Sequence, residues 1–138
     1  MGVESTLLII KPDGVSRGLV GEILTRVERK GYKIDRIEGV TIDRALAEKH
    51  YGEHKGKDFY DDLIEYITSG MSVVAIIRGE NAIENLRFLM GATNPLDATP
   101  GSIGGAYATS VTHNMVHGSD SANSAAREIE LFFPESGR

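Results

Sequence analysis

The chain has no cysteine, which excludes disulfides and thiolate metal sites. No apolar run approaches the ~20 residues that a transmembrane helix needs. There is no Lys/Arg-rich block either. Fifteen basic residues against 20 acidic ones leave a net charge of −5, so non-specific nucleic-acid binding is not expected as the main task. That balance still permits a small cationic pocket for phosphates. The opening Met1-Gly2-Val3-Glu4 lacks a basic region and a long apolar stretch, so no secretory leader is expected. Gly2 invites myristoylation only superficially, with Thr6 as its one supporting residue. The expectation is a cytoplasmic protein that spans no membrane.

The common phosphate-binding motifs are missing as well. There is no G-x-x-x-x-G-K-[ST], and Gly14, Gly18 and Gly21 do not make G-x-G-x-x-G. If the chain handles nucleotides, it does so by other means.

What is present is an ordinary single-domain composition: 138 residues, 41% hydrophobic and 25% charged. The apolar run Leu7-Leu8-Ile9-Ile10 predicts a buried strand over Glu4–Ile10, ended by Pro12 and Gly14. Leu19, Val20, Ile23, Leu24 and Val27 have helical spacing over Leu19–Lys30, stopped by Gly31. A second strand is predicted over Tyr32–Ile42, then a helix from Arg44 to about Tyr51 capped by Asp43. Asp58–Thr68 reads as a helix ending at Gly70, Val73–Ile77 as a third strand, and Asn81–Met90 as a helix. From Gly91 to His113 the pattern dissolves, as functional or disordered loops do. A short strand at Val116 and a helix over Ser121–Phe132, capped by Ser121, complete the chain; from Pro134 onwards it reads as a tail. Embedded in this order is β-α-β-β-α-β, an α+β, ferredoxin-like plan of four antiparallel strands with helices on one face. No repeat and no domain boundary is apparent.

The four histidines form two i,i+4 pairs, His50 with His54 and His113 with His117. Neither pair reads H-E-x-x-H, and ligand sets must be specific, so no protein-held metal is expected. His50 and His54 lie in a polar, charged helix end and read as surface residues; His113 is expected to point away from the cleft or to lie further along it. His117 differs. In Asn114-Met115-Val116-His117-Gly118-Ser119-Asp120-Ser121 an apolar pair leads into the ring, and small residues leave room beside it. That suits an imidazole nucleophile, with Glu128 available to fix its tautomer.

These residues carry a resemblance. From about Glu4 to Pro134 the chain resembles the nucleoside diphosphate kinases. The match rests on Ile10-Lys11-Pro12-Asp13-Gly14-Val15, Arg17-Gly18-Leu19-Val20-Gly21-Glu22-Ile23, His50-Tyr51, Gly91-Ala92-Thr93-Asn94-Pro95, the His117 octet and Arg127-Glu128-Ile129. The resemblance implies one kinase domain over residues 1–138 and ping-pong transfer of a γ-phosphate through phospho-His117. It implies that Glu128 bonds the imidazole with Ser119 close by, and that Lys11 and Tyr51 sit near the moving phosphate. Arg87, Thr93 and Asn114 would bind phosphates or ribose. Phe59 would stack on the base, with Leu63 and Val111 lining the slot. Mg2+ would arrive on the phosphates of ATP or another nucleotide, in keeping with its reluctance to dehydrate. A hexamer or tetramer of identical chains is implied too.

The resemblance breaks in one place. Where the family carries an arginine after Pro-Gly-Thr/Ser-Ile, this chain has Gly104, and Ala106 replaces the neighbouring acid. A charged hydrogen bond contributes ~1.5–3 kcal/mol, so its loss is expected to slow transfer roughly tenfold to a hundredfold. Met71 stands where the family commonly has proline, at a turn that tends to serve subunit contacts. The alternative reading is a nucleotide-binding or scaffold protein of the same fold with impaired catalysis; a histidine-metal protein ranks last.

Overall fold

The computed structural model describes residues 2–91 and 115–134. Four strands form one sheet: β1 (Val3–Ile10), β2 (Lys33–Thr41), β3 (Met71–Glu80) and β4 (Val116–Gly118), in the order β2-β3-β1-β4. Every neighbouring pair is antiparallel. The central strands β1 and β3 are apolar on both sides because both faces of the sheet are covered. Leu8, Ile10, Val73, Ala75 and Ile77 pack against Ile23 and Val27 of α2 (Val20–Arg29) and Leu86 and Met90 of α5 (Ala82–Met90). Leu7, Ile9, Val74 and Ile76 pack the other way, on Ala47 of α3 (Arg44–His50), Ile64 and Ile67 of α4 (Tyr60–Ile67), and Phe133 beyond the last helix. The ferredoxin-like plan therefore holds, but helices cover two faces rather than one.

β3 runs well past the expected Val73–Ile77. Its polar end, Arg78-Gly79-Glu80, is held extended by pairing with Ser5, Glu4 and Val3 of β1. Local apolarity could not reveal that extension, since the partner strand supplies the hydrogen bonds. α2 ends where expected: Gly31 has φ +99°, open to a residue without Cβ. α4 ends at its cap Thr68, as expected, where the Thr68 hydroxyl donates to the Ile64 carbonyl at 2.8 Å; it starts two residues later than Asp58. The expected irregular stretch lies, beyond Gly91, outside the described residues.

Two features were not anticipated. Pro12–Ser16, expected only to end the first strand, is a short helix, α1. Proline suits the first helical position, where its missing N–H leaves no bond unmade. Gly14 lets α1 lie on the end of β1: a Cβ there would sit 2.9 Å from Ile10 Cγ2 and 3.5 Å from Met115. A 3-10 turn, Gly52–His54, follows α3. Among the described residues no helix is long and apolar enough to cross a membrane.

Asp43 caps α3 as expected, its Oδ1 accepting from the Leu46 N–H at 2.8 Å. Replacing it with alanine is expected to cost about 1 kcal/mol and lower Tm by a few degrees, measured by thermal and urea denaturation.

Candidate active site

β4 places the central side chain. Strand side chains alternate between faces. Val116 belongs to the core beneath α2 and α5. His117, paired with Ile9, therefore points to the opposite face, where α3 and the last helix, α6 (Ala122–Phe132), pack. α6 is started by Ser121, whose hydroxyl accepts from the Ser124 N–H at 3.1 Å. It turns Ala125 and Glu128, three residues apart, inward together.

Glu128 meets two donors through one oxygen. His117 Nε2 lies 2.9 Å from Oε1, and the Ser119 hydroxyl donates to the same atom at 2.6 Å. Arg127 Nη2 lies 3.5 Å from Oε2. Ser119 is itself held by β1: the Leu7 N–H donates to its Oγ, and its own N–H donates to the Leu7 carbonyl, both at 3.3 Å. Burial alone would push the Glu128 carboxyl up; the hydrogen bond and charge of His117, with Ser119, outweigh it and hold the carboxyl down at about 2. An ionised Glu128 accepts and cannot donate. His117 must therefore present N–H at Nε2, which leaves the lone pair on Nδ1. No described residue hydrogen-bonds Nδ1.

Lys11 stands just before α1 and is almost wholly buried. Its N–H donates to the Met115 carbonyl at 2.6 Å, tying the end of β1 to the approach to β4. Burial lowers the ammonium to about 8. Arg87 donates to the Gly118 carbonyl at 3.1 Å, one residue past His117. Phe59, just before α4, keeps 42% of its surface exposed, so it is not a core residue. Leu63, one turn along α4, is half-buried. Thr93, Val111, Asn114, His113, Gly104 and Ala106 lie outside the described residues.

His50 corrects the sequence reading. It is buried, at 4% exposure, and both ring nitrogens lack a partner among the described residues. Burial first, then the proximity of His117 and Lys11, lowers its imidazole to about 3 and keeps it neutral. Leu46, Ala47 and His50 share one face of α3, and that spacing was the available signal. His54 stays partly exposed, as expected. Tyr51 is also buried, its hydroxyl unpartnered among the described residues and pushed up by burial.

Rings connect the centre to Phe59. Centroids are 4.8 Å apart for His117–His50, 4.6 Å for His50–Tyr51, 6.2 Å for Tyr51–His54 and 5.4 Å for His54–Phe59. One backbone feature carried no sequence signal: Met115, fully buried two residues before His117, has φ +70°.

Lys11→Met is expected to stabilise the chain below pH 8. The wild-type ammonium is harder to keep protonated folded, at about 8, than at its ordinary 10.5. The unfolded state thus binds more protons between those values, and wild-type stability rises with pH across that window. Urea titrations from pH 7 to 10.5 should show a wild-type gain of at most about 3 kcal/mol that the variant lacks.

The chain's relatives agree with this geometry. The family model described as nucleoside diphosphate kinase matches residues 4–137. A nucleoside diphosphate kinase from a Parafrankia strain is 54% identical over 134 residues, covering 97% of this chain and 98% of that one. One from Pelotomaculum thermopropionicum is 56% identical over 131 residues, covering 95% and 88%. The crystal structure of nucleoside diphosphate kinase from Encephalitozoon cuniculi superposes with a TM-score of 0.95 at 34% identity, covering 98% of this chain and 92% of that one. For the Aquifex aeolicus enzyme the TM-score is 0.93 at 35% identity, with 96% of each covered. With a family model over nearly the whole chain, relatives above half identity and a shared fold, the chain belongs to the nucleoside diphosphate kinases, a family of phosphotransferases.

Proposed function

We propose that this kinase works in two half-reactions through Nδ1 of His117. The observation that carries this reading is the 2.9 Å contact between His117 Nε2 and Glu128, which supports the tautomer with N–H at Nε2 and the lone pair on Nδ1. In the first half-reaction that lone pair attacks the γ-phosphorus of a nucleoside triphosphate. The bond to the β-phosphate oxygen breaks, and the diphosphate leaves. The ring then carries positive charge, which Glu128 stabilises, with Ser119 fixing the carboxylate. In the second, a terminal oxygen of a different nucleoside diphosphate takes the phosphoryl group. Such transfers depend on positioning and on cations around the moving charge. Lys11 supplies one such cation. Tyr51 offers a buried hydroxyl, and Arg87 reaches the same strand end. Thr93 and Asn114 complete the phosphate and ribose contacts.

Phe59, exposed at the head of α4, stacks on the base, with Leu63 and Val111 beside it. A ring reads the face common to all bases, so substrates should include ATP, GTP and other nucleotides. Among the described residues, one group of three His, Asp or Glu side chains converges, and it brings two nitrogens. Mg2+ prefers oxygen ligands and retained water, so the residues suit a cation carried on the nucleotide phosphates, where it would neutralise the transferring group.

Among the described residues β2 is an edge strand; Ile37 on it and Met71, at the start of β3 beside it, are exposed, at 47% and 49%. Both support assembly into a homo-oligomer, a hexamer or tetramer, in the cytoplasm; light scattering gives the number. Gly104 should make this enzyme slower than one with arginine there.

Incubation with γ-labelled ATP is expected to place acid-labile label on the chain, chased by GDP. His117→Ala should abolish both, and Glu128→Gln should slow labelling tenfold to a hundredfold. Gly104→Arg should raise the rate by a similar factor. Nucleotide binding without label would instead favour a binding or scaffold role.

A further inference from the structure

The buried ring of His50 has no role in the transfer above. It stands edge-on to His117, 4.8 Å between centroids and 85° between planes, with both nitrogens unpartnered among the described residues. Buried polar groups without partners are rare and call for an explanation. The donor atoms of His50, His117 and Glu128 all lie within 4.8 Å of one another.

We propose that His50, His117 and Glu128 form a site for a borderline-soft divalent cation of the Zn2+ type, and that filling it shuts off the nucleophile. Two imidazoles and one carboxylate, with a fourth position left open, are a recurrent zinc donor set. The same set is wrong for Mg2+, which wants oxygen at every position. This site differs from the i,i+4 histidine pairs of the sequence, since its ligands come from α3, β4 and α6.

The geometry is close to what zinc needs. Legs of ~2.0–2.1 Å in a tetrahedron separate ligand atoms by ~3.3 Å. His117 Nε2 and Glu128 Oε1, at 2.9 Å, need open only slightly, while the His50 ring swings inward. Glu128 would keep the Ser119 hydrogen bond, the outer support that metal-ligating carboxylates usually have. Lys11 and Arg127 add positive charge nearby, which opposes a dication and keeps the site weaker than a structural zinc.

Inhibition follows from the proton. Zinc takes the lone pair of Nε2 only when the ring proton sits on Nδ1. Binding therefore moves that proton from Nε2 to Nδ1 through water, with no net release, and Nδ1 loses the pair that would attack phosphorus. The cation acts as a tautomer lock.

The test is titration of Zn2+ alone into the full chain labelled with 15N-histidine, followed by imidazole nitrogen NMR, with affinity from competition against a chromophoric chelator. One equivalent should shift the ring nitrogens of both His50 and His117. His50→Gln and Glu128→Gln should each weaken binding at least tenfold. Shifts confined to His54 or His113, undiminished affinity in these variants, or no binding would overturn the site. The wild-type spectrum decides independently of whether a variant folds. Zn2+ should also block labelling by MgATP in proportion to occupancy; labelling that continues at full occupancy would overturn the shut-off. Because binding is read without nucleotide, failure of the site and failure of the transfer mechanism are separable.

Discussion

Burial should cost Glu128 its charge, yet the carboxyl stays ionised because Ser119 and His117 both donate to it. That charge decides which nitrogen of His117 bears hydrogen. The donors are fixed by different parts of the fold: Ser119 by the backbone of β1, His117 by three residues of β4, Glu128 by one turn of α6. A protonated acid or an amide at 128 could donate, and the tautomer would no longer be forced. Much of the architecture converges on keeping one proton in one place.

The sheet contributes through alternation. Val116 and His117 are adjacent, yet one belongs to the apolar layer beneath α2 and α5 and the other faces α3 and α6. With only three residues in β4, register depends on its ladder with β1 and on the Lys11–Met115 backbone bond at its entrance. A slip of one residue would turn the His117 ring into the core.

The order of elements was legible because the apolar spacings are strong. The caps were legible too, since Asp43 and Ser121 act through local chemistry. The partner of His117 was foreseen through resemblance, but only three-dimensional packing reveals the 2.9 Å contact. What escaped reading depends on distant segments. β3 is extended at its start by β2 and at its polar end by β1, and the second helical layer follows from both faces of the central strands being apolar. His50 was misjudged because its charged neighbours Glu48 and Lys49 lie on other sides of α3, while Leu46 and Ala47 share its face. Lys11 as text is a solvated cation; only the placement of α1 over the strand end buries it.

The left-handed backbone at Met115 constrains how this chain can vary. At φ +70° a β-branched residue pays a steric penalty that its size and polarity do not disclose. Val, Ile and Thr are thus barred from a fully buried apolar position that would otherwise welcome two of them. Glycine would relieve the backbone but forfeit the side chain that fills the core and lies 3.3 Å, at its sulfur, from Arg17. The position before Val116 is held between two opposed demands, so its tolerance to substitution should be narrow for reasons unconnected with phosphate.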